Sequence, residues 1–271
     1  MSDRALSPAA PRKPTGKPGD GPHDGYSFEA LARSYNFLKI SSFGRVLCNL
    51  VMDECQQRGT TPRVLDVGCG FGIARRTYFQ HEIRAHCGEF WGIEPDESVT
   101  PEDGLFDHFQ HALMETATLP ENNFDVAYSS MVMEHVADPE AFLAAVARCL
   151  KPGGTYLFLT PNAKCFIPWA AKVCHKLGID DAVLRLVKPA EAIEEYHYPV
   201  QYRFNTEAEV DAYATQHGFL SPEYVYIEGP AMRNYLPGPL RPIYSAIAWK
   251  HRTFPNPRSL VTMIGRLTKA G

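Results

Sequence analysis

The amino-acid sequence predicts an α/β protein built on a doubly wound, mostly parallel sheet. Short apolar runs of strand length alternate with segments of helical length through the middle of the chain. The first run, Val64–Val67, contains Asp66 and leads into glycines at alternate positions, which is typical of a strand that turns sharply into a helix. Such alternation implies a parallel sheet covered on both faces, with ligands bound at the carboxyl ends of the strands.

The predicted core has five strands and three helices. Strands are expected at about 63–67, 89–93, 111–115, 124–129 and 154–160. Helices are expected at about 72–80, 103–110 and 139–149, with Pro139 near the start of the last one. Asp66, Glu94, Glu115 and Ser129 then all fall at strand ends, so we expect them to meet at one edge of the sheet.

The parts before the core differ in composition. Residues 1–25 contain five prolines and four glycines and are expected to form a disordered tail. Residues 26–60 have apolar residues at helical spacing with a break near 41–44, which predicts a helical N-terminal cap of two helices. Tyr26 and Tyr35 lie in this cap and are expected either to close over a ligand or to pack in the core.

The main domain is predicted to span residues 61–228. Residues 161–203 are irregular and are expected to form a lid insertion. A helix is predicted at 206–217, because Thr206 is followed three positions later by Glu209 in a capping-box pattern. A further strand is predicted at 224–227.

The last 43 residues, 229–271, are predicted to form a basic helical C-terminal appendage. They contain seven Lys or Arg and no Asp or Glu, so they carry a formal charge of +7 against −11 for the preceding residues. The simpler interpretation is a helical segment packed on an acidic domain. The functional alternative is peripheral contact with a membrane surface or with an anionic substrate.

Composition excludes several classes of protein. The formal net charge of −4 disfavours general nucleic-acid binding. No apolar run approaches the length of a membrane span, and the N-terminus lacks the apolar core of a signal peptide. The seven cysteines include no Cys-x-x-Cys pair, which favours reduced, buried thiols in a cytoplasmic protein.

Five motifs together resemble the class I S-adenosylmethionine (SAM) methyltransferases, closely over about residues 60–165. They are Asp66-x-Gly68-x-Gly70-x-Gly72, Glu94 after the second strand, Phe124-Asp125, Glu134-His135 and the turn Lys151-Pro152-Gly153-Gly154. The resemblance implies a Rossmann-like, seven-stranded sheet with a helical N-terminal cap and a lid insertion. It also implies SAM as cofactor and S-adenosylhomocysteine as product.

The resemblance also implies a set of cofactor contacts. The main chain of Gly68, Cys69 and Gly70 would lie against the amino-acid and ribose portions of SAM. Asp66 would orient the loop and meet the methionine ammonium group, and Glu94 would bind the ribose hydroxyls.

Three further positions complete the predicted cofactor site. Glu115 could accept a hydrogen bond from the adenine amino group, with Thr116 as the neighbouring candidate. Ser129 and Ser130 would pass close to the methionine portion, and a structural role is the alternative for both.

Glu134 and His135 are the predicted catalytic pair. In ubiquinone-biosynthesis O-methyltransferases and small-RNA 3′-end methyltransferases, the resemblance would suggest a metal site made of Glu-x-x-Glu-His and a later His. Met131 occupies the first Glu position here, and His197 is the candidate later ligand. Because this set is incomplete, no metal is expected. The alternative for the pair is to brace the following helix.

His197 has a second interpretation as a catalytic base. It lies in an aromatic-rich segment with Tyr196, Tyr198, Tyr202 and Phe204 that could form the wall of the acceptor site. A neutral imidazole there could take a hydroxyl proton near pH 7.

The predicted function is SAM-dependent methyl transfer to a small or medium acceptor, at a hydroxyl oxygen. The acceptor is expected to be a small molecule, a glycan or a lipid-linked compound. The alternatives are an RNA or protein methyltransferase, disfavoured by the lack of an RNA-binding module, and a non-catalytic SAM-binding protein.

Overall fold

The computed structural model describes residues 27–37, 43–59, 61–165, 200–229, 233 and 241–271. The helices are α1 (Phe28–Ala32), α2 (Phe43–Gln57), α3 (Thr77–Arg84), α4 (Pro139–Cys149), α5 (Glu207–Gln216) and α6 (Arg241–Thr253). The strands are β1 (Asn36–Phe37), β2 (Arg63–Val67), β3 (Glu89–Ile93), β4 (His108–Gln110), β5 (Phe124–Ser130), β6 (Leu150–Pro161), β7 (Glu223–Glu228) and β8 (Thr262–Thr268). Short 3-10 helices lie at Met133–His135 and Pro257–Ser259.

These strands form one eight-stranded sheet in the order β1-β7-β8-β6-β5-β2-β3-β4. Strand β8 runs antiparallel to both of its neighbours, and every other pairing is parallel. The other seven strands therefore share one direction, and their carboxyl ends lie together. We call this side of the sheet the carboxyl edge.

A hydrophobic core covers each face of the sheet. Helices α1, α2 and α3 pack on one face, and α4 and α5 pack on the other. Strand β6 alternates between the two cores, with Tyr156 and Phe158 on one side and Leu157 and Leu159 on the other. This double covering explains why the central strands are apolar along their whole length.

Several predicted elements are confirmed. The strands at 63–67 and 89–93 and the helix at 139–149 have the expected bounds. Asp138 opens α4 by accepting a hydrogen bond from the Ala141 amide. The capping box at α5 is present, because the Thr206 hydroxyl contacts both the amide and the carboxylate of Glu209. The strand at 124–129 extends to residue 130, and that at 224–227 is one residue longer at each end.

Four predicted elements are wrong in position or type. The helix expected at 72–80 begins only at Thr77, because Ala74 and Arg75 have left-handed backbones with φ of 52° and 59°. The helix expected at 103–110 is absent, and its last three residues form strand β4. The strand expected at 111–115 is this same strand, found three residues earlier because it pairs with Trp91–Ile93 of β3. Strand β6 begins at residue 150, four residues before its predicted start.

The C-terminal prediction also needs correction. Residues 241–253 are helical, but residues 262–268 form β8, which lies between β6 and β7 instead of in a helical appendage. The short edge strand β1 brings the sheet to eight strands where seven were expected. The tail at 1–25 and most of the lid, residues 166–199, lie outside the described residues. No described helix combines the length and apolar character needed to cross a bilayer.

Candidate functional site

The glycine loop between β2 and α3 is bound to the end of β3. The amides of Gly68 and Cys69 both donate to the Ile93 carbonyl oxygen, at 2.9 and 3.0 Å. Gly68 has a φ of +67°, and a Cβ there would lie 2.5 Å from Val132 Cγ2. Only glycine fits this position, because any side chain would be strained and would collide with the chain that follows β5.

Glu94 is held at the carboxyl end of β3 by main-chain donors. Its Oε2 accepts from the Gly70 amide at 2.8 Å, and its Oε1 accepts from the Asp96 amide at 3.1 Å. The side chain is buried, and burial raises its pKa while these two hydrogen bonds oppose the rise. Each oxygen retains accepting capacity for a ligand.

Asp66 links three elements of the site. Its Oδ2 accepts from the Tyr128 hydroxyl at 2.6 Å and from Gln80 Nε2 at 2.7 Å. Gln80 also donates to the Cys69 carbonyl oxygen at 3.1 Å, so β2, the glycine loop and α3 are joined. Burial raises the pKa of Asp66 to about 7, against the effect of both hydrogen bonds.

The predicted adenine contacts lie on the loop after β4. Glu115 is half-buried, and burial together with the nearby charge of Asp138 raises its pKa. Thr116 is exposed, and its hydroxyl donates to the Leu113 carbonyl oxygen of its own turn. Contact of either residue with a cofactor stays a prediction.

The two serines at the end of β5 differ in burial. Ser129 is fully buried, and its hydroxyl lies 2.7 Å from the Tyr156 hydroxyl, which is the structural role that the sequence left open for it. Ser130 is half-buried at the carboxyl edge. Contact of the serines with methionine stays a prediction.

Glu134 and His135 lie in the 3-10 turn after β5. The Glu134 carboxylate is buried, accepts from the Thr160 hydroxyl at 3.0 Å, and burial raises its pKa to about 7. Asn205 Nδ2 donates in turn to Thr160 Oγ1 at 2.6 Å.

The turn that carries Glu134 braces the segment that leaves the lid region. The Glu134 carbonyl oxygen accepts from the amides of Gln201 and Tyr202, at 2.6 and 3.2 Å. Asp138, and not this pair, caps α4, and bracing of that helix by the pair stays a prediction. His135 is half-buried in the same turn. His197 lies outside the described residues, so its position near this pair stays a prediction.

Sequence reasoning missed one buried acid at the same edge. Glu228 ends β7 and is fully buried, and its Oε1 accepts from the Tyr244 hydroxyl of α6 at 3.0 Å. Its Oε2 has no hydrogen-bond partner among the described residues, and burial raises its pKa to about 7. An acid that ends an apolar strand, as Glu94 ends β3, was the available signal.

Strongly shifted carboxyl groups thus gather at the carboxyl edge. Asp66, Glu134 and Glu228 are the described acids whose pKa rises to about 7, and all three lie at or next to strand ends there. Carboxyl groups with a strongly raised pKa are often found at functional sites, so each of the three is a candidate functional residue.

Exposed apolar side chains surround the same region. Five of the nine large apolar side chains that are exposed among the described residues lie in segments that enter or leave the carboxyl edge: Phe71, Leu113, Met131, Val200 and Tyr202. Large apolar side chains left exposed in neighbouring segments are typical of binding surfaces. Met131 also has a left-handed backbone, with a φ of 58°.

No group of three His, Cys, Asp or Glu side chains surrounds a potential metal position within the described part of the chain. Since His197 is outside that part, the expectation of no metal stays a prediction.

Comparisons with known proteins point in one direction. The sequence profile of a methyltransferase domain matches residues 29–219, more than two thirds of the chain. A ubiquinone biosynthesis O-methyltransferase of Escherichia coli is 32% identical over 142 residues, which cover 48% of this chain and 58% of that protein. The protein of the same name from Hahella chejuensis is 34% identical over 125 residues, covering 42% and 50%. The matched part thus spans only about half the length of these curated relatives.

A solved structure shows the same fold. A geranyl diphosphate methyltransferase in complex with GPP and sinefungin superposes with a TM-score of 0.53 at 14% identity, covering 82% of this chain and 76% of that chain. The sheet is therefore the Rossmann-like, doubly wound sheet that the sequence predicts. On the extent of the profile match, the chain belongs to the methyltransferase domain family.

Proposed function

We propose that this protein transfers a methyl group from SAM to a hydroxyl oxygen on a small or medium acceptor with an apolar portion. The main support is the Glu94 carboxylate, which two main-chain amides hold beside the glycine loop. Two adjacent ribose hydroxyls suit such an anchored carboxylate, because each can donate to one of its oxygens. The names of the curated relatives support a hydroxyl acceptor.

The residues present fit the proposed cofactor. The main chain of Gly70 lies beside the Glu94 carboxylate, and Asp66, Glu94 and Glu115 supply acidic groups for a ligand with positive sulfonium and ammonium groups. When bound, SAM supplies a methyl group that its sulfonium already activates. The protein then has to align the acceptor, exclude water and take up a proton.

His135 is the proposed base for the acceptor hydroxyl. It is half-buried at the carboxyl end of β5, and a neutral imidazole accepts a proton near pH 7. Glu134 is buried on Thr160, and we propose that it positions the turn that carries His135. His197 is the alternative base.

The apolar portion of the acceptor follows from the side chains at the carboxyl edge. Phe71, Leu113 and Met131 surround the proposed cofactor region, and Val200 and Tyr202 come from the end of the lid region. A prenyl or similar chain would cover them, which favours a lipid-like acceptor over a glycan. The charge of −11 on residues 1–228 disfavours RNA as the acceptor.

Calorimetric titration with SAM and S-adenosylhomocysteine tests cofactor binding. We expect micromolar binding that EDTA leaves unchanged, and a loss of about tenfold or more in Glu94→Ala, because a charged hydrogen-bonding site is lost. Glu97→Ala removes an exposed acid three residues away and is the matched control. If Glu94→Ala binds SAM with wild-type affinity, Glu94 does not bind the ribose hydroxyls. If the wild type binds neither SAM nor S-adenosylhomocysteine, a non-catalytic protein is favoured.

Transfer of a radiolabelled methyl group tests the acceptor. The probes are a catechol with a short prenyl chain and the same catechol without it. We expect a higher kcat/KM for the prenylated probe, and we expect His135→Ala to abolish turnover while SAM affinity is kept. Equal kcat/KM for both probes would contradict the apolar portion, and full activity in His135→Ala would transfer the role of base to His197.

A further inference from the structure

We propose that the outer face of α6 docks the protein on an anionic lipid bilayer. We define this docking face as Ile243, Trp249, Lys250 and Arg252 together with Phe254 just after the helix. The proposal goes beyond methyl transfer, because it names a surface and a partner that the reaction does not require.

The position of α6 is set by the sheet. The helix lies in the connection from the end of β7 to the start of β8, and both of these points are at the carboxyl edge. Its inner side is anchored, since Tyr244, Ala248 and His251 are buried and Tyr244 donates to Glu228. His251 also packs on Phe37 of β1, so the docking face belongs to a helix that is fixed at the β1 end of the sheet.

The apolar part of the docking face is unusually exposed. Phe254 and Trp249 are 65% and 64% exposed, the highest values for large apolar side chains in the described part of the chain, and Ile243 is 51% exposed. The exposed face of α6 lies opposite its buried side. Ala246 and Lys250 are on this face, and Trp249 and Ile243 lie at its two borders. Aromatic side chains on such a face are typical of helices that lie in a membrane interface.

Charge selects an anionic surface as the partner. Lys250 and Arg252 are exposed, as is Arg241 at the start of the helix, and none of the three forms an ion pair with another described residue. Arg258 and Arg266, by contrast, pair with Glu207 and Glu223 of the main domain. Each unpaired basic residue near an anionic bilayer contributes about 1 kcal/mol of attraction.

The charge distribution also sets an orientation. Residues 1–228 carry −11, so an anionic bilayer repels most of the protein and attracts the segment from 229 to 271. The carboxyl edge would then face the membrane, where a lipid-like acceptor is dissolved. This last point rests on the proposed function, whereas docking itself does not.

Co-sedimentation of the full chain with vesicles tests the proposal. The two vesicle types are phosphatidylcholine alone and an equal mixture of phosphatidylcholine and phosphatidylglycerol, without SAM. We expect binding to the mixed vesicles that is about tenfold or more stronger than to phosphatidylcholine and that weakens with salt. Equal binding to both vesicle types, or none to either, would overturn the proposal.

Paired variants separate the two parts of the docking face. Trp249→Ser with Phe254→Ser removes apolar anchors, and Lys250→Glu with Arg252→Glu reverses charge. Each pair should lower binding about tenfold or more. Leu220→Ser, at an apolar side chain that is 54% exposed before β7, and Arg148→Glu at the end of α4 are matched controls on the opposite edge.

Two further readouts keep the outcomes distinct. The thermal midpoint and SAM affinity of the paired variants should equal those of the wild type, since these side chains are exposed. If the variants bind the mixed vesicles as the wild type does, the assignment of the docking face is wrong. Failure of SAM binding in the wild type would instead contradict the proposed function and leave vesicle binding untouched.

Discussion

Two buried acids, one in each half of the sheet, are held in different ways. In the glycine-loop half, formed by β5, β2, β3 and β4, Glu94 is held by main-chain amides of Gly70 and Asp96. In the antiparallel half, formed by β6, β8, β7 and β1, Glu228 is held by the side-chain hydroxyl of Tyr244. Main-chain donors do not change with sequence, whereas side-chain donors do. A substitution can therefore remove the hydroxyl group that holds Glu228, but not the amides that hold Glu94.

The connections at the carboxyl edge also differ in length between the two halves. In the glycine-loop half they are short, and the loop after β2 is tied to β3 by two hydrogen bonds to Ile93. In the antiparallel half, residues 162–206 follow β6 and residues 229–261 follow β7. Long connections on a rigid sheet are where specificity is usually built.

The largest expected effect is in the antiparallel half, at Gly265 of β8. A Cβ at this position would collide with the ring of Phe158 on β6, so Gly265→Ala should lower the free energy of unfolding by about 3 kcal/mol or more. Urea unfolding measures this loss. Adding Phe158→Leu should restore part of it, because the smaller side chain makes room.

The same variant tests whether the halves are independent. At low temperature, folded Gly265→Ala should bind SAM with nearly wild-type affinity, since the glycine loop does not contact β8. A loss of affinity as large as the loss of stability would show that the two halves act as one unit.

An intermediate effect is expected from pH in the glycine-loop half. Asp66 has a pKa of about 7 in the free protein, so at lower pH its carboxyl group is protonated and must lose a proton before it can attract a cationic ligand. SAM affinity should therefore rise with pH, by up to about tenfold per pH unit below 7, and then level off. Titration calorimetry across this range gives the slope.

Asp66→Asn should bind weakly and with a flatter pH profile. Glu228→Gln changes an acid with a similar pKa in the other half and should keep the wild-type slope, which makes it the control. A wild-type affinity that does not change between about pH 5.5 and pH 8 would contradict contact between Asp66 and the ammonium group.

The smallest expected effect is on stability at Glu228. The pKa of Glu228 is raised from 4.5 to about 7 in the folded protein. The protonated carboxyl group therefore contributes to the free energy of unfolding at low pH, and this contribution is lost as pH rises through 7. Glu228→Gln keeps an acceptor for Tyr244 without the charge and should stabilise the protein by about 1–2 kcal/mol at pH 8.

The difference in stability between the wild type and Glu228→Gln should vanish near pH 4, where Glu228 is protonated. Thermal unfolding at both pH values tests this, with the exposed Glu121→Gln as control. A destabilised Glu228→Gln at pH 8 would mean that a charged carboxylate is needed there, as a ligand-binding acid would be.

Local patterns predicted most of the glycine-loop half. The run that ends at Val67, the acid at 94 and the helix start marked by Pro139 each depend on residues within a few positions of one another. The position of strand β4 was not predicted correctly. Its three residues are too few to show an apolar alternation, and pairing with β3 sets its position. Helix α3 begins later than predicted because Ala74 and Arg75 have left-handed backbones, which no sequence pattern indicates.

The antiparallel half depended on distant contacts. Basic residues interleaved with apolar ones made 229–271 look helical throughout, yet β8 pairs with both β6 and β7 and completes the sheet. The hydroxyl donors Thr160 and Tyr244 had no local signature, because each meets its acid across at least 16 positions of sequence.

By itself, the sequence determined the α/β class, the family resemblance, the glycine loop and the acid that ends β3, since these follow from local periodicity and short motifs. The tertiary structure alone decided that the C-terminal segment enters the sheet, that Glu134 faces Thr160 and that Glu228 is a fourth buried acid at the carboxyl edge. The physical reason is that strand pairing and burial are set by partners distant in the chain, which no local pattern records.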